Sequence, residues 1–364
     1  MNGWLLRLLL GVALAGAWAC APHPPGLASA PLPAVSEALA PSLVAARGDA
    51  TYVLDASGAV IRVRNDTRDA IAWIDGLEQP TSASGFAIGG DESVWYTTTG
   101  LVHAWNGAAW VTHDLTPIVG GGTYRTAAPV AVAARSIADA WTVVYDYETS
   151  TGSAASFGPV FHLCHWDGRD WSCEPLPADA MGGAWELVAS PPLLQLSESY
   201  VWLLGADHVV RRRACDGTWT ALASDVPVCD EQIVDDAHAF AGGCAGAMAG
   251  VAAWNGSRFA RIDGEAGSFA ARSGSDVWLA RVEEQVDGAS GSHVSEWRQV
   301  VVSRYDGTSV TEIGYVDLDT PVAVASTSRP ARVQLVPTAP GAARLHVLDR
   351  RDDAGWFAAT ATSR

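Results

Sequence analysis

The stretch that decides the fold lies between residues 139 and 171. It reads Asp139-Ala140-Trp141 and then, after a longer interval, Cys164-His165-Trp166-Asp167-Gly168-Arg169-Asp170-Trp171. The Asp-Gly pair favours a tight hairpin turn, because both residues tolerate the positive φ angles that such a turn needs. The residues around it are mainly aromatic and β-branched, which fits strands better than helices. The stretch therefore predicts antiparallel strands joined by short turns.

The same pattern recurs along the chain from about residue 40. Each unit combines an Asp-x-Trp-like element with a turn, usually Asn-Gly or Asp-Gly, and an aromatic or apolar anchor follows the turn. The seven anchors are Trp73, Trp110, Trp171, Trp219, Phe259, Val310 and Trp356. Successive anchors are 37 to 61 residues apart, which brackets the roughly 40 to 50 residues of a propeller blade.

These repeats predict an all-β fold, a seven-bladed β-propeller of four-stranded antiparallel blades. In the third unit we expect strands at 129–134, 140–145, 159–166 and 171–175. The blade tryptophans are expected to pack between neighbouring sheets, since an indole buries a large apolar area. The first and seventh units are each predicted to contain four strands, so no exchanged closing strand is expected.

The chain divides into three parts. Residues 1–19 hold Arg7 and a short apolar run, too short to span a bilayer, and are predicted to be a signal peptide. Residues 20–39 are predicted to be a tether rich in Pro and Ala, and residues 40–362 the propeller. Small residues before Cys20 resemble a lipoprotein cleavage box and predict lipid attachment there, although ordinary signal cleavage also fits. We therefore expect a bacterial cell-envelope protein (outer membrane or periplasm) held to the membrane only by a lipid, or a secreted protein if Cys20 is not lipidated.

The repeats resemble those of secreted bacterial seven-bladed β-propeller proteins, which are distantly similar to Kelch-like and sialidase-type repeats. The resemblance rests on Ser275-Asp276-Val277-Trp278 and on the Trp-Asp-Gly-x-x-Trp pattern of residues 166–171. It implies blades and not an activity. No unit matches the sialidase box Ser-x-Asp-x-Gly-x-x-Trp, so no glycosidase residues are carried over and no catalytic residue is assigned.

Composition excludes several chemistries. The 364-residue chain has 40 acidic residues and 23 basic ones, all arginine, and its net charge is −17. Without lysine, Schiff-base chemistry, pyridoxal-phosphate attachment and a lysine-bearing phosphate loop are excluded. An acidic chain is also a poor binder of nucleic-acid phosphates. We expect no nucleic-acid partner and no cofactor.

Six cysteines are present, and the signal analysis assigns Cys20 to lipid. The remaining five are an odd number for an exported protein, where thiols tend to pair. Cys164 and Cys173 flank the Asp167-Gly168 turn symmetrically, so they face each other across one hairpin. This placement predicts a disulfide between them.

A second disulfide is predicted between Cys229 and Cys244, on two consecutive strands. Cys215 competes for Cys229 and is the expected free thiol. No metal site is expected, because the chain has no Cys-x-x-Cys pair and because His162 and His165 point to opposite faces of one strand.

Long loops on one face of the propeller are the expected place for a partner. These loops are residues 112–125, 146–158, 176–186 and 283–296. The candidate ligand-binding residues in them are Tyr124, Arg125, Tyr147, Glu148, Trp185, His293 and Glu296. Long loops rich in Gly and Ser are also tolerated as neutral insertions, so each of these residues has a purely structural alternative.

Two function classes fit the sequence. The first is a non-enzymatic module at the cell envelope that binds a protein or polysaccharide partner through its loop-rich face. The second is a carbohydrate-active enzyme, a glycoside hydrolase or lyase, whose acids are scattered over several blades. Two carboxylates, or a histidine and a tyrosine, converging with shifted pKa values would favour the enzyme.

Overall fold

The computed structural model describes fourteen ranges of the chain. They are residues 29–31, 43–47, 50–54, 58–64, 67–74, 85–98, 100–119, 125–148, 160–177, 192–244, 250–286, 296–317, 332–348 and 357–362. The described residues form 29 β-strands and one short helix, α1 (Thr116–Val119). Within these ranges, no helix is long and apolar enough to cross a bilayer.

The strands form seven sheets, which we call blades 1 to 7 in chain order. The chain begins with β1 (Ser29–Pro31). Blade 1 then has β2 (Leu43–Arg47), β3 (Ala50–Leu54), β4 (Ala59–Arg64) and β5 (Thr67–Trp73); blade 2 has β6 (Phe86–Ile88), β7 (Val94–Thr98), β8 (Leu101–Trp105) and β9 (Trp110–Asp114); blade 3 has β10 (Arg125–Ser136), β11 (Asp139–Glu148), β12 (Val160–Trp166) and β13 (Trp171–Pro175).

The remaining blades follow the same order. Blade 4 has β14 (Leu193–Leu196), β15 (Val201–Leu204), β16 (Val210–Arg213) and β17 (Trp219–Ala221); β18 (Ala223–Ser224) follows; blade 5 has β19 (Val228–Ile233), β20 (Ala239–Gly243), β21 (Val251–Trp254) and β22 (Arg258–Asp263); blade 6 has β23 (Ser268–Ser273), β24 (Asp276–Val286), β25 (Glu296–Tyr305) and β26 (Val310–Asp317); blade 7 has β27 (Arg332–Ala339), β28 (Ala342–Leu348) and β29 (Phe357–Thr362). β18 adds a short parallel strand to β22.

The predicted all-β propeller of four-stranded antiparallel blades is confirmed. In blade 3 the strands were expected at 129–134, 140–145, 159–166 and 171–175, and the last two agree within one residue. The first two are longer, because β10 and β11 stay paired as far as Arg125 opposite Glu148.

The hairpin turn of blade 3 follows the Asp-Gly rule. Trp166 pairs with Trp171, and Gly168 between them has a φ of 90°. Oδ1 of Asp167 accepts hydrogen bonds from the backbone N–H groups of Arg169 and Asp170, at 2.9 and 2.8 Å. The aspartate thus caps the turn while the glycine supplies the left-handed backbone, which explains why this pair marks the hairpin in sequence.

The expectation that no strand is exchanged was wrong. β1, which lies within the predicted tether, pairs antiparallel with β29 and forms the outer strand of blade 7. In the part of the chain that the structure describes, the seventh unit supplies three strands to blade 7, β27, β28 and β29, where four were expected. The N-terminal strand therefore joins the last blade to the first.

The hydrophobic core consists of six clusters, each at the junction of two consecutive blades among the described residues. Trp95, Trp202 and Trp278 are fully buried in three of these junctions, as predicted for the blade tryptophans. Trp73 is an exception, since it is 55% exposed. Its backbone carbonyl instead accepts a hydrogen bond from Nε1 of Trp110 in blade 2, at 3.0 Å.

Each blade has two distinct rims because its strands run as an antiparallel meander. At the loop rim, first strands begin, second strands end and third strands begin, as at Arg125, Glu148 and Val160 in blade 3. At the turn rim, the first two and the last two strands are joined by tight turns, such as residues 137–138 and 167–170 in blade 3.

Candidate functional site

The candidate ligand-binding residues fall on or beside the loop rim where the structure describes their backbone. Arg125 is opposite Glu148, and Tyr147 is opposite Thr126, at the loop-rim end of blade 3. Glu296 is opposite Val286 at the corresponding end of blade 6. The side chains of Arg125, Tyr147, Glu148 and Glu296 lie outside the part that the structure describes, and so do the whole residues Cys20, Tyr124, Trp185 and His293. Their roles in binding or lipid attachment stay predictions.

Three of the four long loops are shorter than predicted. Strand β11 continues to Glu148 and β24 continues to Val286, so the loops expected from residues 146 and 283 begin later. The loop expected from residue 112 begins after Asp114 and then contains α1. In blades 3 and 6, pairing of β11 with β10 and of β24 with β25 extends the strands beyond the point where the hydrophobic pattern ends.

Both predicted disulfides are present. Cys164 and Cys173 are register partners in β12 and β13, with their sulfur atoms 2.10 Å apart. Cys229 and Cys244 are also bonded, with sulfur atoms 1.96 Å apart. Cys215 is free and exposed, as expected.

The two disulfides differ in their surroundings. Cys164 is fully buried in the core between blades 2 and 3. Cys229 is exposed at the loop-rim end of β19, where the register shifts by one residue, and Cys244 directly follows β20. Nδ1 of His208, in the connection between β15 and β16 of blade 4, lies 3.5 Å from Sγ of Cys229 and 4.0 Å from Sγ of Cys244.

An acidic pair with raised pKa values follows Cys229. Glu231 is only 3% exposed, and neither carboxylate oxygen has a hydrogen-bond partner. Burial, and then the charge of Asp230, raise the pKa of Glu231 well above its usual value. Desolvation by surrounding protein atoms likewise raises the pKa of Asp230 to about 6, although part of this residue is open to solvent. Adjacent residues on a strand direct their side chains to opposite faces, so the two carboxyl groups do not converge.

A cavity of about 580 Å³ lies between blades 5 and 6 at the turn rim. Aromatic and apolar side chains form its walls, among them Phe240, Trp254, Ile262 and Tyr305. The polar residues that line it come from three turns and the strand end beside one of them, and they include Asp235, His238, Asn255, Ser273 and Ser275. An apolar wall beside convergent polar groups can hold a small polar molecule that has one apolar face.

The polar end of this cavity contains an Asp–His pair. Nδ1 of His238 lies 2.9 Å from Oδ1 of Asp235, and the ring lies over Gly274, where a β-carbon would come within 2.0 Å of it. Desolvation raises the pKa of Asp235, but hydrogen bonds from His238 and from the backbone N–H of Ala237 outweigh it and hold the pKa below its usual value. The carboxylate therefore stays ionised and orients the imidazole.

Sequence reasoning missed both His208 and the cavity. His238 occupies the position two residues before the blade aromatic, where other blades have Ser93, Asp139, Tyr200 and Asp276. This departure from the repeat was a usable signal. His208 gave no comparable signal, because its contacts with Cys229 and Cys244 cross from one blade to the next.

Comparison with known proteins adds no assignment. The chain matches no protein-family model and no curated protein. Among solved structures, it resembles the WD40 repeats of RRP9, with 10% identity and a TM-score of 0.47, over 86% of this chain and 91% of that one. The β-propeller domain of Cps50 (Swd1) from Myceliophteria thermophila has 8% identity and a TM-score of 0.47, over 89% of this chain and 96% of that one. BamB from Moraxella catarrhalis is 9% identical to this chain, with a TM-score of 0.40, over 93% of this chain and 99% of that one. Values this low carry no argument about function, and the class, an all-β propeller, rests on the sheets described above.

Proposed function

We propose that the protein is an exported, lipid-anchored propeller that binds a protein or polysaccharide partner at the bacterial cell envelope without catalysing a reaction. The main support for this proposal is that strand ends of blades 3 and 6 lie at the loop rim. Arg125, Glu148, Val286 and Glu296 all end or begin strands at the loop rim. Arg125, Glu148 and Glu296 are themselves candidate contact residues, and the backbone position of these three at one rim supports the proposal that a macromolecule docks there.

The charge of the chain supports a partner with basic groups. The net charge is −17, and such a field attracts cationic surfaces and repels acidic ones. A partner of this kind would associate faster at low salt than at high salt, because mobile ions screen the attraction.

The acidic pair of blade 5 does not support the glycoside-hydrolase alternative. A glycoside hydrolase needs two carboxyl groups on either side of one glycosidic bond. Asp230 and Glu231 have raised pKa values, but they lie on opposite faces of β19, and Glu231 is closed to a substrate. The pair therefore lacks the geometry of that reaction.

Lipid attachment is tested on the chain isolated from the membranes of its own cells. Mass spectrometry should find an N-terminal Cys20 that carries acyl groups, and Cys20→Ala should release the chain from the membrane fraction. A processed chain with an unmodified Cys20 would refute the lipid anchor, and a chain that keeps residues 1–19 would refute export.

Partner binding is tested with a glycan array and with in-cell cross-linking of the mature chain. The proposal expects saturable capture of one glycan or cross-linking to one protein. Deletion of residues 149–158 should weaken it at least tenfold with little change in thermal unfolding, because loop length has a small effect on closure entropy. Arg169→Ala, an exposed residue of a turn at the turn rim, is the matched control and should bind normally. Equal binding by the deletion variant would overturn the proposed surface, and release of shortened sugars would favour the enzyme.

A further inference from the structure

The exposed disulfide of blade 5 lies beside a histidine that belongs to another blade. His208 lies in the connection between β15 and β16. The carboxylate of the preceding residue, Asp207, accepts hydrogen bonds of 2.6 and 2.9 Å from the guanidinium of Arg211. The backbone of His208 has a φ of 62°, in the left-handed region that few non-glycine residues occupy. Its Nδ1 lies 3.0 Å from the carbonyl oxygen of Val228, the residue before Cys229. The imidazole is thus held against the disulfide from the side of blade 4.

The three side chains have the spacing of a metal site. Nδ1 of His208 and the sulfur atoms of Cys229 and Cys244 all lie within 4.8 Å of one another. In a tetrahedral zinc site with Zn–S near 2.3 Å and Zn–N near 2.0 Å, sulfur and nitrogen are about 3.5 Å apart and two sulfurs about 3.8 Å apart. The observed distance from Nδ1 to Sγ of Cys229 is 3.5 Å. Once the S–S bond is broken, the two sulfurs have to move from bonding distance to about 3.8 Å apart to complete the arrangement.

We propose that the reduced form of this cluster, with Cys229 and Cys244 as thiolates and Nδ1 of His208 as third ligand, binds a thiophilic divalent metal such as Zn²⁺, and that the disulfide form does not. Three protein ligands leave a fourth position for water or for a group of a partner. The inference concerns this cluster alone and does not depend on the function proposed above.

The reductant that opens the Cys229–Cys244 bond is a dithiol. The dithiol gives two electrons and two protons to the disulfide, which becomes two thiols while the dithiol becomes a disulfide. Zn²⁺ then displaces the two thiol protons, which pass to solvent. In the disulfide form Nδ1 of His208 donates its proton to the Val228 carbonyl. On metal binding Nδ1 releases that proton to solvent and Nε2 takes one up, so the imidazole stays neutral and the lone pair of Nδ1 binds the metal.

The two disulfides differ in how accessible their sulfur atoms are to a reductant in solution. Cys229 is exposed, whereas Cys164 is fully buried in the core between blades 2 and 3. A reductant in solution reaches an exposed sulfur more easily, so mild treatment should open the Cys229–Cys244 bond first. The buried pair then serves as an internal control.

The experiment uses the mature chain in a Cys20→Ser, Cys215→Ser background, which leaves only the four cysteines of the two disulfides. After mild reduction and removal of the reductant without oxygen, thiol counting should give two thiols per chain. Competition with a chromogenic chelator should then give one Zn²⁺ bound per reduced chain and none per oxidised chain. Co²⁺ in place of Zn²⁺ should produce a thiolate-to-cobalt charge-transfer band and a tetrahedral spectrum.

Variants locate the site. Cys229→Ser with Cys244→Ser should abolish zinc binding, and His208→Asn, which tolerates the left-handed backbone, should weaken it at least tenfold. Circular dichroism confirms that each variant is folded, and X-ray absorption at the zinc edge of the reduced parent should report two sulfurs and one imidazole. The proposal is overturned if the reduced parent binds no zinc, if the double serine variant binds it equally well, or if the absorption spectrum shows no sulfur ligand.

Discussion

The side chain of Gln232 joins blade 5 to blade 6 by bonding both backbone groups of Ala271. Its Oε1 accepts a hydrogen bond from the N–H of Ala271 at 2.7 Å, and its Nε2 donates to the carbonyl at 2.9 Å. Gln195 makes the corresponding link one blade earlier, accepting from the N–H of Ile233 at 2.8 Å and donating to the carbonyl of Glu231. First strands of consecutive blades are therefore clamped by side-chain amides as well as by apolar packing.

Gln232→Ala should lower the free energy of unfolding by about 1–3 kcal/mol, because it leaves a partly buried N–H and carbonyl of Ala271 without partners. Urea unfolding at neutral pH measures the loss. Arg169→Ala is the control, since that side chain is 90% exposed at a turn, and it should change stability by less than about 0.5 kcal/mol. Equal stability of the two variants would mean that the amide clamp contributes nothing.

Glu231→Gln should stabilise the protein at neutral and alkaline pH. The pKa of Glu231 is raised in the folded chain, so the folded state holds a proton that the unfolded state releases. The stability of the parent therefore falls as pH rises from the unfolded pKa towards the folded one, by at most about 1.4 kcal/mol per pH unit from this group. Glutamine does not titrate, so the advantage of the variant should grow with pH.

Urea unfolding of parent and variant at pH 4.5 and pH 8 tests this dependence. Asp170→Asn is the matched control, because that carboxylate is 80% exposed. A difference between Glu231→Gln and the parent that is the same at both pH values would contradict the inferred protonation of Glu231.

The disulfide of blade 3 should be found by non-reducing digestion, with the peptides of Cys164 and Cys173 joined. Replacing both by alanine should cost roughly 2–4 kcal/mol, because the unfolded chain regains the freedom that the bond removes. Cys215→Ala, which removes an exposed free thiol, is the control and should be close to neutral. Separate peptides for Cys164 and Cys173 would refute the pairing.

The closing strand should stabilise the ring. A chain that begins at residue 32 lacks β1, so β29 becomes an unpaired edge, whereas a chain that begins at residue 28 keeps β1. We expect the shorter chain to unfold at a lower temperature, at about 2–4 °C per kcal/mol lost. Hydrogen exchange in Phe357–Thr362 should also be faster. Equal melting and equal protection would show that the strand contributes nothing.

The blades were predictable because their signals are local. The Asp167-Gly168 turn, the flanking tryptophans and the pairing of Cys164 with Cys173 all lie within one hairpin, where spacing along the chain fixes spacing in the structure. β1 was missed because Ser29–Pro31 has neither β-branched nor aromatic residues and gains its partner from the far end of the chain. The cluster around His208 was missed for the same reason, since it depends on how two blades face each other.

The exchange of β1 also determines the order in which the blades can form while the chain is being synthesised. A chain is made from its N-terminus, so Ser29–Pro31 exists long before its partner residues 357–359. The four main strands of blades 1 to 6 come from contiguous stretches, and each of these blades can form as soon as its own residues are available. Blade 7 cannot be completed until residues 357–362 have been added. A product that stops before residue 357 therefore leaves open edges at both ends, and such edges pair readily with other chains.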